Sequence, residues 1–143
     1  MRFLSNWLEG VGKIGILPVE SRYLSGRDVR MDAHSCLVDS LHRNGVAVVR
    51  LYLDGEHYVL LTGEKEGRIY LFDPYYLPEG LAETGIENAL DHPFHYNRIV
   101  PFSYFNREVQ APYALGIEVE RDAVLLFDTR TKLTEEKAIE YFI

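Results

Sequence analysis

A histidine and an aspartate stand at the ends of two neighbouring apolar stretches, where they could act together in proton transfer. Residues 56–63 read EHYVLLTG and residues 67–74 read GRIYLFDP. His57 thus opens one predicted strand and Asp73 closes the next, 16 residues later (73 − 57 = 16). A turn of three or four residues within 64–67 would place His57 opposite Asp73 or one position away, and cross-strand Cβ atoms lie about 4.5–5.5 Å apart. An aspartate bonded to one ring nitrogen fixes the tautomer and raises the basicity of the other nitrogen, as in the base of a nucleophilic site.

The same two residues also have an ordinary structural interpretation. Histidine and aspartate often end strands as solvated side chains, and Asp-Pro is a common turn sequence. A buried, hydrogen-bonded His–Asp pair can also serve stability alone. The spacing leaves these alternatives open.

The elements that must position the pair form a predicted antiparallel meander. Residues 46–53 are apolar on both faces, as in a central strand, and Asp54-Gly55 is a hairpin turn sequence. The next predicted strands, in order, cover residues 57–62, 68–73, 98–102 and 124–127.

Helices are predicted on either side of these strands. We expect a short helix over residues 3–8 ended by Gly10 and Gly12, a helix from an Asp32 cap to Arg43, and a final helix capped by Thr134. Residues 13–30 are predicted as a loop with at most one brief strand, and residues 77–97 as a long polar loop. The fold class is therefore α+β, a mainly antiparallel sheet with flanking helices.

Composition limits the function classes. The chain has 143 residues, 47% of them hydrophobic, which suits a single domain over 1–143. A net charge of −7 opposes binding to nucleic acid. We see no signal sequence and no apolar run near the ~20 residues that a membrane helix needs. The single cysteine permits no intrachain disulfide, which fits a reducing compartment, so we expect a cytoplasmic protein.

Residues 33–76 resemble the bacteriocin-processing cysteine peptidases that remove double-glycine leaders, and their stand-alone relatives. The resemblance is carried by HYVLLTG, a short turn and an apolar strand ending in Asp-Pro, preceded by LVDSL at 37–41 and GVAVV at 45–49. That family is papain-like, with chain order Cys, His, Asp. The resemblance implies His57 as general base, Asp73 as its orienter, a peptide or protein substrate, no cofactor, and the C-terminal part of a papain-like fold.

The chain departs from the family at the nucleophile. Members carry a Gln for the oxyanion hole and an Asp-Cys-Gly style segment upstream of the histidine. Here the only Gln is Gln110 and no Cys-Gly pair exists. We therefore expect a domain lacking the N-terminal Cys-bearing segment, which makes it a truncated or inactive form.

Cys36 is the one thiol that could substitute. It lies 21 residues before His57 (57 − 36 = 21), in a predicted helix whose apolar stripe includes Leu37 and Leu41. A buried thiol in apolar surroundings has a raised pKa and is inert. We expect a core residue and no convincing nucleophile.

Other candidate sites are weaker. Asp91, His92 and His95 offer metal-ligand types, but Pro93 breaks any helix that would align them, so we expect no metal site. The ten tyrosines could line a peptide groove, although ordinary packing is the default.

Two functional hypotheses remain, beside the purely structural one. The chain is a cysteine peptidase-like domain without its nucleophile, or it is a non-catalytic module that binds peptides or proteins. Loss of a Cys-bearing helix would expose an apolar face, so we expect a homo-oligomer or a complementing chain.

Overall fold

A computed structural model describes residues 1–75, 81, 84–92 and 95–130. Within them, seven strands form one antiparallel sheet in the order β1-β7-β2-β3-β4-β6-β5. The strands are β1 Val19–Ser25, β2 Val46–Tyr52, β3 Glu56–Lys65, β4 Arg68–Phe72, β5 Glu87–Asn88, β6 Arg98–Pro101 and β7 Asp122–Asp128. The helices are α1 Arg2–Lys13, α2 Cys36–His42 and α3 Phe102–Phe105, with short 3₁₀ turns at Gly26–Asp28 and Glu118–Glu120. The predicted α+β class with a mainly antiparallel sheet is confirmed.

The predicted meander is confirmed as β2, β3 and β4. The β2–β3 turn contains Gly55 at φ +97°. The β3–β4 turn has only two residues, Glu66 and Gly67, with φ of +55° and +75°. Positive φ at both central positions is typical of the two-residue turn whose backbone twist matches the twist of the strands in a hairpin.

The core lies on the face of the sheet that α2 covers. Ala47, Val49 and Leu51 of β2 alternate onto this face and are fully buried. The helix packs against β2 and β3. Its own contribution to the core is Leu37, Val38 and Leu41. Helix α3 adds Phe105, and irregular segments add Val29, Met31, Tyr113 and Leu115. Each such side chain contributes about 1.5–3 kcal/mol of hydrophobic stabilisation.

The ends of two predicted helices were wrong. Helix α1 continues through both glycines to Lys13. Gly12 is required there by close packing, because a Cβ would come 2.0 Å from the carbonyl oxygen of Val19. Helix α2 begins at Cys36, since Ser35 is its cap and accepts a hydrogen bond from the Val38 amide at 3.2 Å. Asp32 instead closes a tight turn before it.

One strand is longer than the brief strand allowed for residues 13–30, and another lies inside an expected loop. Strand β1 is seven residues long because it pairs with β7 from Val19↔Asp128 to Ser25↔Asp122. The two-residue β5 lies inside the predicted long loop. The predicted C-terminal helix lies outside the described residues. None of the described helices is long and apolar enough to cross a membrane.

Candidate active site

His57 and Asp73 are in hydrogen-bond contact at the edge of the core face. The Nε2 atom of His57 lies 2.7 Å from Oδ1 of Asp73. The Asp73 side chain is 1% exposed and that of His57 is 17% exposed. The carboxylate is thus fixed inside the protein, while the imidazole keeps a path to solvent.

The pairing geometry differs from the expectation that the two residues are opposite or one position apart. The ladder pairs Leu60 with Phe72, so its next pair would set Val59 opposite Asp73. His57 is two positions from Val59 and reaches Asp73 along the diagonal, a separation that long side chains can span.

A β-bulge at Thr62 puts both side chains on one face. The register runs Gly63↔Tyr70 and then Leu61↔Leu71, which leaves Thr62 as an extra residue in β3. If Thr62 instead paired with Leu71 in a regular ladder, Asp73 would lie opposite Leu60, whose side chain points away from the face of His57. The bulge therefore builds the pair.

The carboxylate of Asp73 accepts three hydrogen bonds. Besides His57, the Tyr113 hydroxyl donates to Oδ2 at 2.7 Å and the Tyr75 amide donates to Oδ1 at 2.8 Å. A buried carboxylate is tolerated only when donors of this kind replace water. The three donors hold Asp73 in one orientation toward the imidazole.

Asn97 clamps the backbone of Asp73 just beyond the end of β4. Its Oδ1 accepts from the Asp73 amide at 2.8 Å, and its Nδ2 donates to the Asp73 carbonyl at 2.8 Å. The Asn97 amide in turn donates to the carbonyl of Leu71 at 2.9 Å. The Asn97 side chain thus supplies the hydrogen bonds that a neighbouring strand would make to the backbone of Asp73 if β4 continued.

Tyr113 is held in a strained backbone conformation. Its φ is +61°, a region that non-glycine residues seldom adopt. Its amide donates to the carbonyl of Tyr52 at 2.7 Å, and the Tyr52 amide donates to the carbonyl of Ala114 at 2.9 Å. Burial and the hydrogen bond to Asp73 raise the pKa of Tyr113 far above its ordinary value, so the hydroxyl stays a donor. Observed strain of this kind often marks functional sites.

A buried cation lies beside this group. The Arg98 side chain is fully buried and donates from Nη1 to the carbonyl of Asn97 at 2.9 Å. Its positive charge opposes the rise in the pKa of Tyr113. Arg98 and Asp73 therefore bring opposite charges to the buried surroundings of Tyr113.

The geometry fixes which nitrogen of His57 can act as a base. A carboxylate only accepts, so Nε2 carries the ring proton and Nδ1 carries the free lone pair. Among the described residues, none is placed at hydrogen-bonding distance from Nδ1. The Tyr75 ring meets the imidazole edge-on at 6.4 Å between centroids. Such an imidazole can take a proton from a nucleophile that approaches Nδ1.

Cys36 is not the core residue that was expected. It is exposed at the first position of α2 and lines a groove of about 350 Å³ together with Arg22 of β1 and Leu125 of β7. The helical stripe begins one residue later, at Leu37, so the thiol points outward.

The groove and the His57 site are separate. Leu125 pairs with Ala47, and Ala47 pairs with Leu61, which lies four residues along β3 from His57. Four residues and two strand spacings correspond to roughly 15 Å. The wall of the groove at Leu125 is therefore well separated from the imidazole.

The remaining predicted candidates form no site in the described part of the chain. No group of three His, Cys, Asp or Glu side chains suited to a metal ion is found there. The ring of His92 stacks on that of Tyr96 at 4.8 Å. Gln110 is exposed on the segment after α3.

Three residues of the site were missed by sequence reasoning: Tyr113, Asn97 and Arg98. They lie 40, 24 and 25 positions after Asp73, on β6 or in irregular segments (113 − 73 = 40; 97 − 73 = 24; 98 − 73 = 25). An Asn-Arg pair opening an apolar strand was the one local signal available, and it is weak.

Comparison of the chain with models of known families, with curated proteins and with solved structures finds no match. The fold and the site together define an α+β domain whose antiparallel sheet carries a partly exposed histidine hydrogen-bonded to a buried aspartate.

Proposed function

We propose that this chain is a cysteine peptidase-like domain that carries the general base, His57, and its orienter, Asp73, but no nucleophile of its own. The resemblance of residues 33–76 to papain-like peptidases is part of the basis for this proposal. The observation that carries it is the 2.7 Å contact between His57 Nε2 and Asp73 Oδ1, which leaves Nδ1 free.

The surroundings of the pair support catalysis over simple solvation. A structural pair needs no exposed ring nitrogen, whereas His57 keeps 17% of its side chain open. Asp73 is held by Tyr113 and Asn97 through three further hydrogen bonds. A base held in this way meets its substrate without reorganising, which is how positioned groups lower barriers.

The single thiol of the chain is in the wrong place for this chemistry. Cys36 lines a different groove, on the β1–β7 side of the sheet. In the proposed reaction, a thiol from another molecule gives its proton to His57 Nδ1. The sulfur then attacks the carbonyl carbon, and the leaving group departs with the proton from the imidazolium.

Catalysed thiolysis tests the proposal. The protein is mixed with a small thiol and an activated ester, and release of the leaving group is followed at neutral pH. General-base catalysis contributes about 10²–10⁴-fold, and we expect the lower end of that range for a diffusing thiol. His57→Ala should return the rate to that of buffer.

Two control variants isolate His57. Cys36→Ser removes the chain's own thiol and should leave the rate unchanged. His42→Ala removes a histidine that pairs with Glu64 at the far end of β3, and should also leave it unchanged. A rate that survives His57→Ala, or one that disappears with Cys36→Ser, would refute the proposal.

A non-catalytic peptide-binding module is the second candidate, and the exposed ring of Tyr75 favours it. Tyr75 is 54% exposed beside His57, where an extended peptide could stack on it. In that case thiolysis is absent, and peptide binding is lost with Tyr75→Ala but kept with His57→Ala.

A further inference from the structure

Helix α1 packs small residues closely against the sheet and leaves two large aromatic residues exposed. Ser5 is 4% exposed, and its carbonyl accepts a hydrogen bond from the Ser21 hydroxyl at 2.6 Å. Gly12 lies against the backbone of Val19. On the outer side, Phe3 is 82% exposed and Trp7 is 53% exposed. Because Leu4, Leu8 and Val11 are half-buried, the apolar residues of α1 extend around the helix beyond the part that the sheet covers.

The outer apolar residues follow the spacing of a helix–helix seam. Phe3, Trp7, Gly10 and Ile14 are separated by four, three and four positions, the alternation of the a and d sites of paired helices. All four are exposed, and a Cβ added to Gly10 would meet no atom within 4 Å. Gly10 is therefore an open hole in the middle of an apolar ridge.

This seam is complementary to itself in an antiparallel arrangement. Pairs whose numbers add to 17 face each other when two copies of α1 run in opposite directions about a two-fold axis. Phe3 then meets Ile14 of the other copy (3 + 14 = 17), and Trp7 meets Gly10 (7 + 10 = 17). The largest side chain faces the smallest, which is what knobs-into-holes packing requires.

We propose that the α1 seam is the docking surface for a second copy of this chain, as an antiparallel α1–α1 dimer. The surface is independent of the His57 site and of the proposed function. Ile16 and Leu17, which follow the helix, are 66% and 42% exposed and widen the patch. With aromatic side chains of about 150–250 Å² each, the patch supplies on the order of 500 Å² per copy, enough for about the 1,000 Å² that a specific interface needs.

Charge favours a protein partner over a membrane surface. Membrane-bound amphipathic helices carry a polar face rich in Lys and Arg. In α1 the polar stripe is Arg2, Asn6, Glu9 and Lys13, and Lys13 is already paired with Glu9 at 2.5 Å. The whole chain carries −7, so an anionic bilayer would repel it.

Sedimentation equilibrium of the full chain at micromolar concentrations tests the dimer. Gly10→Leu fills the hole that receives Trp7 and should raise the dimer Kd by about tenfold or more. Because the position is open and leucine favours helix, the monomer should fold as before, with unchanged circular dichroism. Trp7→Ser should raise the Kd by about 30-fold, as loss of a central aromatic anchor does.

The matched control is Leu90→Ser, which removes an apolar side chain that is 64% exposed just after β5, at the opposite edge of the sheet from the strand β1 on which α1 packs. It should leave the Kd unchanged. A chain that stays monomeric at about 100 μM overturns the proposal. A dimer whose Kd does not change with Gly10→Leu overturns it as well. Trp7-dependent binding to anionic vesicles by a monomer assigns the patch to a membrane. If the protein is a monomer and its Trp7 fluorescence changes when residues 131–143 are removed, the α1 seam is covered by residues 131–143 of the same chain.

Discussion

The hydroxyl of Tyr113 donates to Oδ2 of Asp73 at 2.7 Å, on the carboxylate oxygen that His57 does not use. One buried carboxylate therefore links a residue of the β2–β4 meander to a segment 40 positions later (113 − 73 = 40). Because Tyr113 is itself fixed by the backbone of Tyr52, the orientation of Asp73 depends on the whole core face. The site is held by tertiary structure as much as by the hairpin.

Tyr113→Phe should destabilise the fold with little change in shape. The substitution removes one donor to a buried carboxylate, and hydrogen bonds to charged groups contribute about 1.5–3 kcal/mol. Urea unfolding followed by circular dichroism measures the loss. Tyr58→Phe is the matched control, since Tyr58 is 43% exposed on the opposite face, and it should cost less than about 0.5 kcal/mol. Equal effects of the two substitutions would contradict the role of Tyr113.

Alkaline pH should destabilise the protein through the same residue. The pKa of Tyr113 is raised in the folded state by burial first and by Asp73 second. The folded chain therefore holds a proton that the unfolded chain releases above about pH 10, so the free energy of unfolding falls as pH rises through that value. We expect a smaller fall in Tyr113→Phe between pH 9.5 and 11, measured by urea unfolding at each pH. An identical fall in the free energy of unfolding of the wild type and Tyr113→Phe would contradict this role of Tyr113.

Deleting Thr62 should be tolerated, although it lies inside a central strand. The deletion removes the bulge but keeps the pairs Leu61↔Leu71 and Leu60↔Phe72, and with them the faces of His57 and Asp73. We expect a change within about 1 kcal/mol in the free energy of unfolding.

Deletion of Leu60 is the contrasting variant. A regular ladder then places Thr62 in the core position of Leu61, and replacing a buried leucine by a smaller polar residue costs about 2–5 kcal/mol. Urea unfolding of the two deletions side by side distinguishes them. Equal losses would mean that the bulge does not set the register.

Acid should weaken the ion pair between Arg50 and Glu56, on the face of the sheet opposite the core. The Arg50 guanidinium, 2.7 Å from Glu56, lowers the pKa of that carboxyl. A lowered carboxyl pKa gives stability that is present above its unfolded value, about 4.3, and is lost as pH falls through the folded value. The stability difference between the wild type and Glu56→Gln should therefore shrink from pH 6 to pH 3. Urea unfolding of both proteins at each pH measures this difference, and a difference that stays constant from pH 6 to pH 3 would contradict the role of Arg50.

Much of the central sheet was predictable because its signals are local. The apolar run of β2, the Asp54-Gly55 turn and the alternation in β4 each lie within a few residues. Strand β1 was not predictable in full, since its length comes from pairing with β7, about a hundred residues away. Pairing partners at that distance leave no trace in a local pattern.

The candidate site was predicted in its residues but not in its geometry. His57 and Asp73 were singled out by type and spacing, while the register depended on a two-residue turn and the bulge at Thr62, which no local preference indicated. Cys36 was expected inside because it neighbours an apolar stripe. In the structure the buried stripe of α2 starts at Leu37, and Cys36 stands beside it at the exposed first position of the helix.

The central claim is that Asp73 holds His57 with its proton on Nε2 and its lone pair on Nδ1. A long-range proton–nitrogen correlation spectrum of the ¹⁵N-labelled protein at neutral pH reads this directly, with His57→Ala identifying the signal. We predict that Nε2 is protonated and Nδ1 is not, and that Asp73→Ala turns the spectrum into that of a mixed, solvated imidazole. A proton on Nδ1, or a His57 signal that Asp73→Ala leaves unchanged, would contradict the account.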